Sequence, residues 1–138
     1  MIEGGGLGGV LDASALLALA YDESGADQVE PALRRGALIT AVNWAETLSR
    51  MAERGEPVEV AEPRIRTRIA KIGTLTIVPY DEPQAIETAR LRMSTKSLRL
   101  SLADRACLAL GRLRRLPVLT TDRAWRSLHL SIKIVVIR

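Results

Sequence analysis

The chain contains no phenylalanine, two tryptophans, two tyrosines, one cysteine and one histidine among its 138 residues. Each shortage removes a class of protein. With so little aromatic mass, the core has to be built from Leu, Ile, Val and Ala, which favours helices laid on a sheet over an aromatic-rich sandwich. A lone cysteine, Cys107, excludes an internal disulfide and points to a reducing compartment; set among apolar residues, it reads as a small core side chain. A lone histidine, His129, excludes a two-histidine acid-base ribonuclease. Long apolar runs are missing too. The first, Ala13 to Ala20, falls far short of the roughly 20 residues that span a bilayer, and Glu3 stands ahead of it where a signal peptide would carry basic residues. No membrane span is expected, and a cytoplasmic location is. Gly4, Gly5, Gly6, Gly8 and Gly9 are not followed by Gly-Lys-Ser/Thr, so a phosphate-cradling loop is excluded, and residues 1–9 read as a flexible glycine-rich N-terminus.

What is present fits one domain, residues 1–138. Lys and Arg number 20 against 16 acids, a net charge of +4 that favours a polyanionic partner. Short apolar runs at Val10–Leu11, Ala37–Thr40, Leu75–Val78, Val118–Thr120 and Ile132–Ile137 alternate with helical patterns, which implies a parallel sheet covered on both faces. The helices are expected over Ser14–Tyr21, Ala26–Arg35 with Pro31 bending or shortening it and Gly36 as its C-cap, Asn43 to about Arg54, Val58–Ile72 with Pro63 beginning or interrupting it, and Pro83 to Met93. The clearest unit is Ser101 to Asp122. Ser101 and Asp104 make a capping box, leucines and alanines follow, Arg112, Arg114 and Arg115 suit the negative end of the helix dipole, and Pro117 stops the helix before Val118. The second helix of basic character, with Arg64, Arg66, Arg68 and Lys71, reads either as a solvated face or as a binding face.

Four acids occupy equivalent places. Asp12 and Asp122 sit where a strand hands over to a helix, Glu46 lies just past another strand, and Asp104 opens the helix that leads to the strand before Asp122. Singly, each is explained as a helix cap. Together, right-handed crossovers bring the carboxyl ends of parallel strands to one rim, where ligands of open α/β folds bind. Unit charges about 4 Å apart repel by roughly 4 kcal/mol at an effective dielectric of 20. A divalent cation resolves that repulsion, and oxygen donors without His or Cys suit Mg²⁺ or Mn²⁺ rather than Zn²⁺.

In order and spacing, the blocks VLDASALLAL, ITAVNWAETL, LSLADRACLAL and VLTTDRAW resemble those of PIN-domain ribonucleases, in particular the VapC-like toxins of toxin-antitoxin pairs. The resemblance implies a single PIN-like α/β domain with a five-stranded parallel sheet of order 3-2-1-4-5, metal-dependent RNA cleavage, a homodimer and a cognate antitoxin. A homodimer is also expected because the all-round apolar first helix, Trp44 and Trp125 offer more apolar surface than one small core needs. It carries the acidic quartet onto Asp12, Glu46, Asp104 and Asp122, with Asp12, Asp104 and Asp122 as metal ligands. Ser14, Asn43 and Thr120 match positions that support the quartet by hydrogen bonds. Arg105 and Arg123, each beside an acid, read equally as phosphate contacts or surface charges. The alternative is a PIN-like module that binds RNA or a partner without cutting. An aspartyl phosphatase is disfavoured because Ser14 stands where a second acid is needed, and a receiver domain because Leu11-Asp12-Ala13 lacks adjacent acids.

Overall fold

In the computed structural model, which describes residues 6–138, five parallel strands form one sheet in the order β3-β2-β1-β4-β5. The strands are β1 Gly9–Leu11, β2 Ala37–Thr40, β3 Leu75–Val78, β4 Val118–Thr120 and β5 Ile134–Val136. Between them lie α1 Ala13–Ala20, α2 Ala26–Arg34, α3 Ala41–Glu53, α4 Val58–Ala70, α5 Glu82–Ser94 and α6 Leu102–Arg114. Two 3-10 turns, Lys96–Leu98 and Arg123–Ser127, complete the chain. The α/β class and the strand order are those the resemblance implied.

The two-residue period of the strands divides the core in two. Leu11, Ala37, Ile39 and Leu119 face a layer of α1 to α4, with Leu16, Leu19, Leu33, Met51 and Ile65. Val10, Leu38 and Val118 face the other way, onto Leu91 of α5, Leu108 and Leu110 of α6, and Trp125. The central strands are therefore apolar on both faces, as parallel sheets require. Gly111 lets α6 lie close on β4: a Cβ there would meet Val118 Cγ2 at 2.4 Å. Gly36 ends α2 as expected, with a left-handed φ of 88°.

Several expectations change. Residues 1–5 of the expected flexible segment lie outside the described residues, whereas Gly8 donates its N–H to Gly36 O at 2.6 Å and Gly9 already belongs to β1. Neither Pro31 nor Pro63 breaks its helix; Ala61, Ile65 and Ile69 bury one face of α4 and hold it through Pro63. The N-cap of α3 is Thr40, whose hydroxyl accepts the Asn43 N–H, and Asn43 sits inside the helix. α5 is capped by Asp81 and starts one residue before Pro83.

Candidate active site

Asp12 follows the last residue of β1 and caps α1, so the end of a buried strand forces its carboxylate inside; the residue is 4% exposed. Its Oδ1 accepts from Ser14 Oγ at 2.7 Å and from Ala15 N at 2.8 Å, and its Oδ2 accepts from Thr120 Oγ1 at 2.6 Å. Burial pushes its pKa up to about 6; the donors from Thr120, Ser14 and Ala15 oppose that rise, and the charge of Asp104 adds to it. The same hydroxyls tie α1 to β4. Ser14 Oγ accepts from Thr121 N at 3.0 Å, and Thr120 Oγ1 accepts from Asp122 N at 3.1 Å.

The other acids approach from three further elements. Glu46 projects from α3 and pairs with Arg50 of the next turn at 2.8 Å. Asp104 closes the capping box of α6: its Oδ2 accepts from Ser101 N, and its own N–H donates to Ser101 Oγ, both at 3.1 Å. Asp122 caps the turn Arg123–Ser127, accepting from Ala124 N at 3.0 Å. Asn43 joins two of these elements. Fully buried, it accepts from Thr40 Oγ1 at 2.6 Å and donates to Ala103 O at 3.0 Å, holding α3 and its Glu46 against the first turn of α6, next to Asp104.

Asp12, Glu46, Asp104 and Asp122 line one cleft of about 300 Å³ at the carboxyl edge of the sheet, together with Ser14, Thr121, Trp125 and Arg50. The buried thiol of Cys107 feels the same field. It is held well above its usual range, first by burial and then by the charges of Asp12, Asp104 and Glu46. The capping role and the cleft position thus coexist, for Asp12 and Asp104 alike. In kind, the oxygen-only donor set fits a hard divalent cation, and a buried carboxylate raised toward neutrality by burial, with Asp104's charge adding, is where one would relieve the most. Among the described residues no three acidic, His or Cys side chains are gathered closely enough to hold an ion alone. Any metal there would keep several waters, as Mg²⁺ commonly does.

Arg50, the one basic residue among the described residues that line the cleft, was missed in the sequence; its spacing of four from Glu46 on one helix was the available signal. Arg105 turns away, donating to Thr88 O of α5 at 3.1 Å, and Arg123 Nε reaches Arg138 O at 3.4 Å. Three of the four cations on the basic face of α4 are paired within the chain, Arg64 with Glu56, Arg66 with Glu62, and Arg68 with Asp22. Of the apolar surface expected to drive a homodimer, α1 and Trp125 are covered within one chain, whereas Trp44 is only partly buried. In α1 only Ser14 is not fully buried, and Trp125 is 1% exposed.

The model of the PIN domain matches residues 9–129. No curated protein matches the sequence. Among solved structures, a VapBC-5 toxin-antitoxin member from Mycobacterium tuberculosis is 28% identical, with a TM-score of 0.59 over 92% of this chain and 96% of the other. A toxin-antitoxin complex from Klebsiella pneumoniae is 20% identical, with a TM-score of 0.66 over 91% and 99%. The sarcin-ricin loop cleaving toxin VapC20 of M. tuberculosis is 11% identical, with a TM-score of 0.68 over 90% and 98%. With the strand order, the acid-lined cleft and a domain match over nearly its whole length, this chain belongs to the PIN domain family.

Proposed function

We propose that the protein is a Mg²⁺- or Mn²⁺-dependent endoribonuclease and the toxin of a toxin-antitoxin pair. The observation that carries this reading is the meeting of Asp12, Glu46, Asp104 and Asp122 in one cleft. Asp12, Asp104 and Asp122 would hold the ion. Glu46 would orient the attacking water or help hold a second ion. When bound, the divalent ion supplies charge neutralisation and a more acidic water. Thr120, Ser14 and the Ala15 N–H keep Asp12 ionised against its burial, and Asn43 fixes the spacing of α3 and α6. The toxin role is supported by likeness to toxin-antitoxin complexes, and RNA as substrate by likeness to a toxin described as cleaving the sarcin-ricin loop.

The test is degradation of labelled RNA by the purified chain with Mg²⁺ or Mn²⁺, abolished by EDTA and by Asp12→Asn. A second reading, a PIN module that binds RNA without cutting, is favoured by one observation: all four acids already have a hydrogen-bond or ion-pair partner. RNA binding with no cleavage under any divalent metal would establish it. The homodimer rests on the family resemblance and is checked by light scattering at micromolar concentration, where a one-chain mass would remove it.

A further inference from the structure

The end of α5 and the 3-10 turn after it enclose an open groove of about 800 Å³, lined by Arg92, Met93, Ser94, Lys96, Ser97 and Arg99. Three of the six are cations, two are hydroxyl residues and none is an acid. Among the described residues, Arg92, Lys96 and Arg99 make no ion pair, whereas Arg64, Arg66 and Arg68 on α4 each have a carboxylate partner. At short range those three α4 charges are cancelled, and the three of the groove are left for something outside the chain. A short stretch of chain also leads from the groove to the cleft. Arg99 turns the chain through a left-handed conformation, φ 51°, into buried Leu100 and then Ser101, whose capping box holds Asp104. The chain from Arg99 to Asp104 spans at most about 17 Å.

We infer that this groove binds the phosphate backbone of the RNA strand whose scissile bond lies in the acidic cleft, an inference that rests on the ribonuclease reading. An acid-lined cleft repels a polyanion, so affinity has to come from cations beside it, and hydroxyls add donors that phosphate oxygens accept. A protein partner is the poorer fit, because protein interfaces are built around an apolar core and Met93 is the groove's one apolar residue.

The experiment compares wild type with R92Q/K96Q/R99Q and, as a charge-matched control, R64Q/R66Q/R68Q. Binding of labelled oligouridine is measured in EDTA, where no cleavage occurs, across about 50 to 200 mM salt. The groove side chains are exposed, so the fold is expected to survive. Each phosphate contact on a single strand contributes about 0.7 to the slope of log affinity against log salt, so the groove variant should lose about 2 from that slope and bind about tenfold more weakly at low salt. The control should keep the wild-type slope. With Mn²⁺, the groove variant should show a raised KM and an unchanged kcat. An unchanged slope in the groove variant, or an equal loss in the control, overturns the inference, as does groove-dependent binding of polyglutamate without RNA binding. Groove-dependent RNA binding by a wild type that never cuts would sink the ribonuclease reading and leave the groove standing.

Discussion

Thr120 Oγ1 donates to Asp12 Oδ2 at 2.6 Å and accepts the Asp122 N–H at 3.1 Å, so one buried hydroxyl at the end of β4 sets two of the cleft's acids relative to each other. Thr120→Val keeps the shape and removes both bonds. Leaving buried polar groups without partners costs about 1 to 3 kcal/mol each. Urea unfolding in EDTA at pH 7 should show a loss in that range, and Thr120→Ser should recover most of it. A wild-type midpoint for the valine variant would mean that the hydroxyl holds nothing.

Asp12 makes metal-free stability fall as pH rises. Its folded pKa is about 6 against an ordinary 3.8, so between those values the folded chain binds more protons than the unfolded one, and stability decreases upward through the window. A rise of about two units corresponds to about 3 kcal/mol, lost by pH 7. Unfolding followed from pH 4 to pH 7 in EDTA should show this decline, with a smaller one in Asp12→Asn. Mn²⁺ at pH 7 should return the lost stability to wild type and little of it to the variant.

Asp104→Asn retains an oxygen for the Ser101 N–H and deletes a charge that raises Asp12. The lost dipole interaction costs about 0.3 to 1 kcal/mol, and the relieved repulsion offsets it. Thermal melts should therefore show a variant as stable as wild type in EDTA, with a reduced gain from Mn²⁺ and little RNA cleavage. A variant that loses stability in EDTA, gains fully from Mn²⁺ and still cuts would leave Asp104 a cap alone.

Arg50→Gln should move two affinities in opposite directions. Arg50 holds Glu46 and lines the cleft, so its removal frees a carboxylate and deletes a positive charge. Calorimetry should find tighter Mn²⁺ binding, and anisotropy weaker RNA binding, with Arg50→Lys close to wild type in both. The pair is half exposed, so stability should change by no more than about 0.5 kcal/mol. Both affinities unchanged would make it an ordinary surface pair.

The strands and α6 were legible because apolar runs are bounded by strong punctuation: Gly36 before β2, Pro117 before β4, and Ser101 with Asp104 before α6. The start of α3 was misplaced because two capping frames overlap. Asn43 with Glu46 satisfies the pattern, but the Thr40 hydroxyl reaches the Asn43 N–H first, and only the tertiary bond from Asn43 to Ala103 O reveals what the asparagine does. The four acids could be placed on one rim from topology alone. Their partners could not, since Arg105 going to Thr88 and Arg50 to Glu46 depend on how helices pack. That α1 and Trp125 are covered by their own chain was illegible for the same reason: a sequence shows that a helix is apolar all round, not how much of it the same chain covers.

The scarcity of aromatics has an optical consequence. Trp125 lines the acidic cleft while almost wholly enclosed, its Nε1 without a partner among the described residues, and Trp44 lies with the Arg66 guanidinium 5.2 Å over its ring. In a chain with Trp44→Leu, every photon emitted by indole originates at the cleft wall. Fluorescence of that single chromophore then follows cation entry and RNA arrival directly, with no label attached.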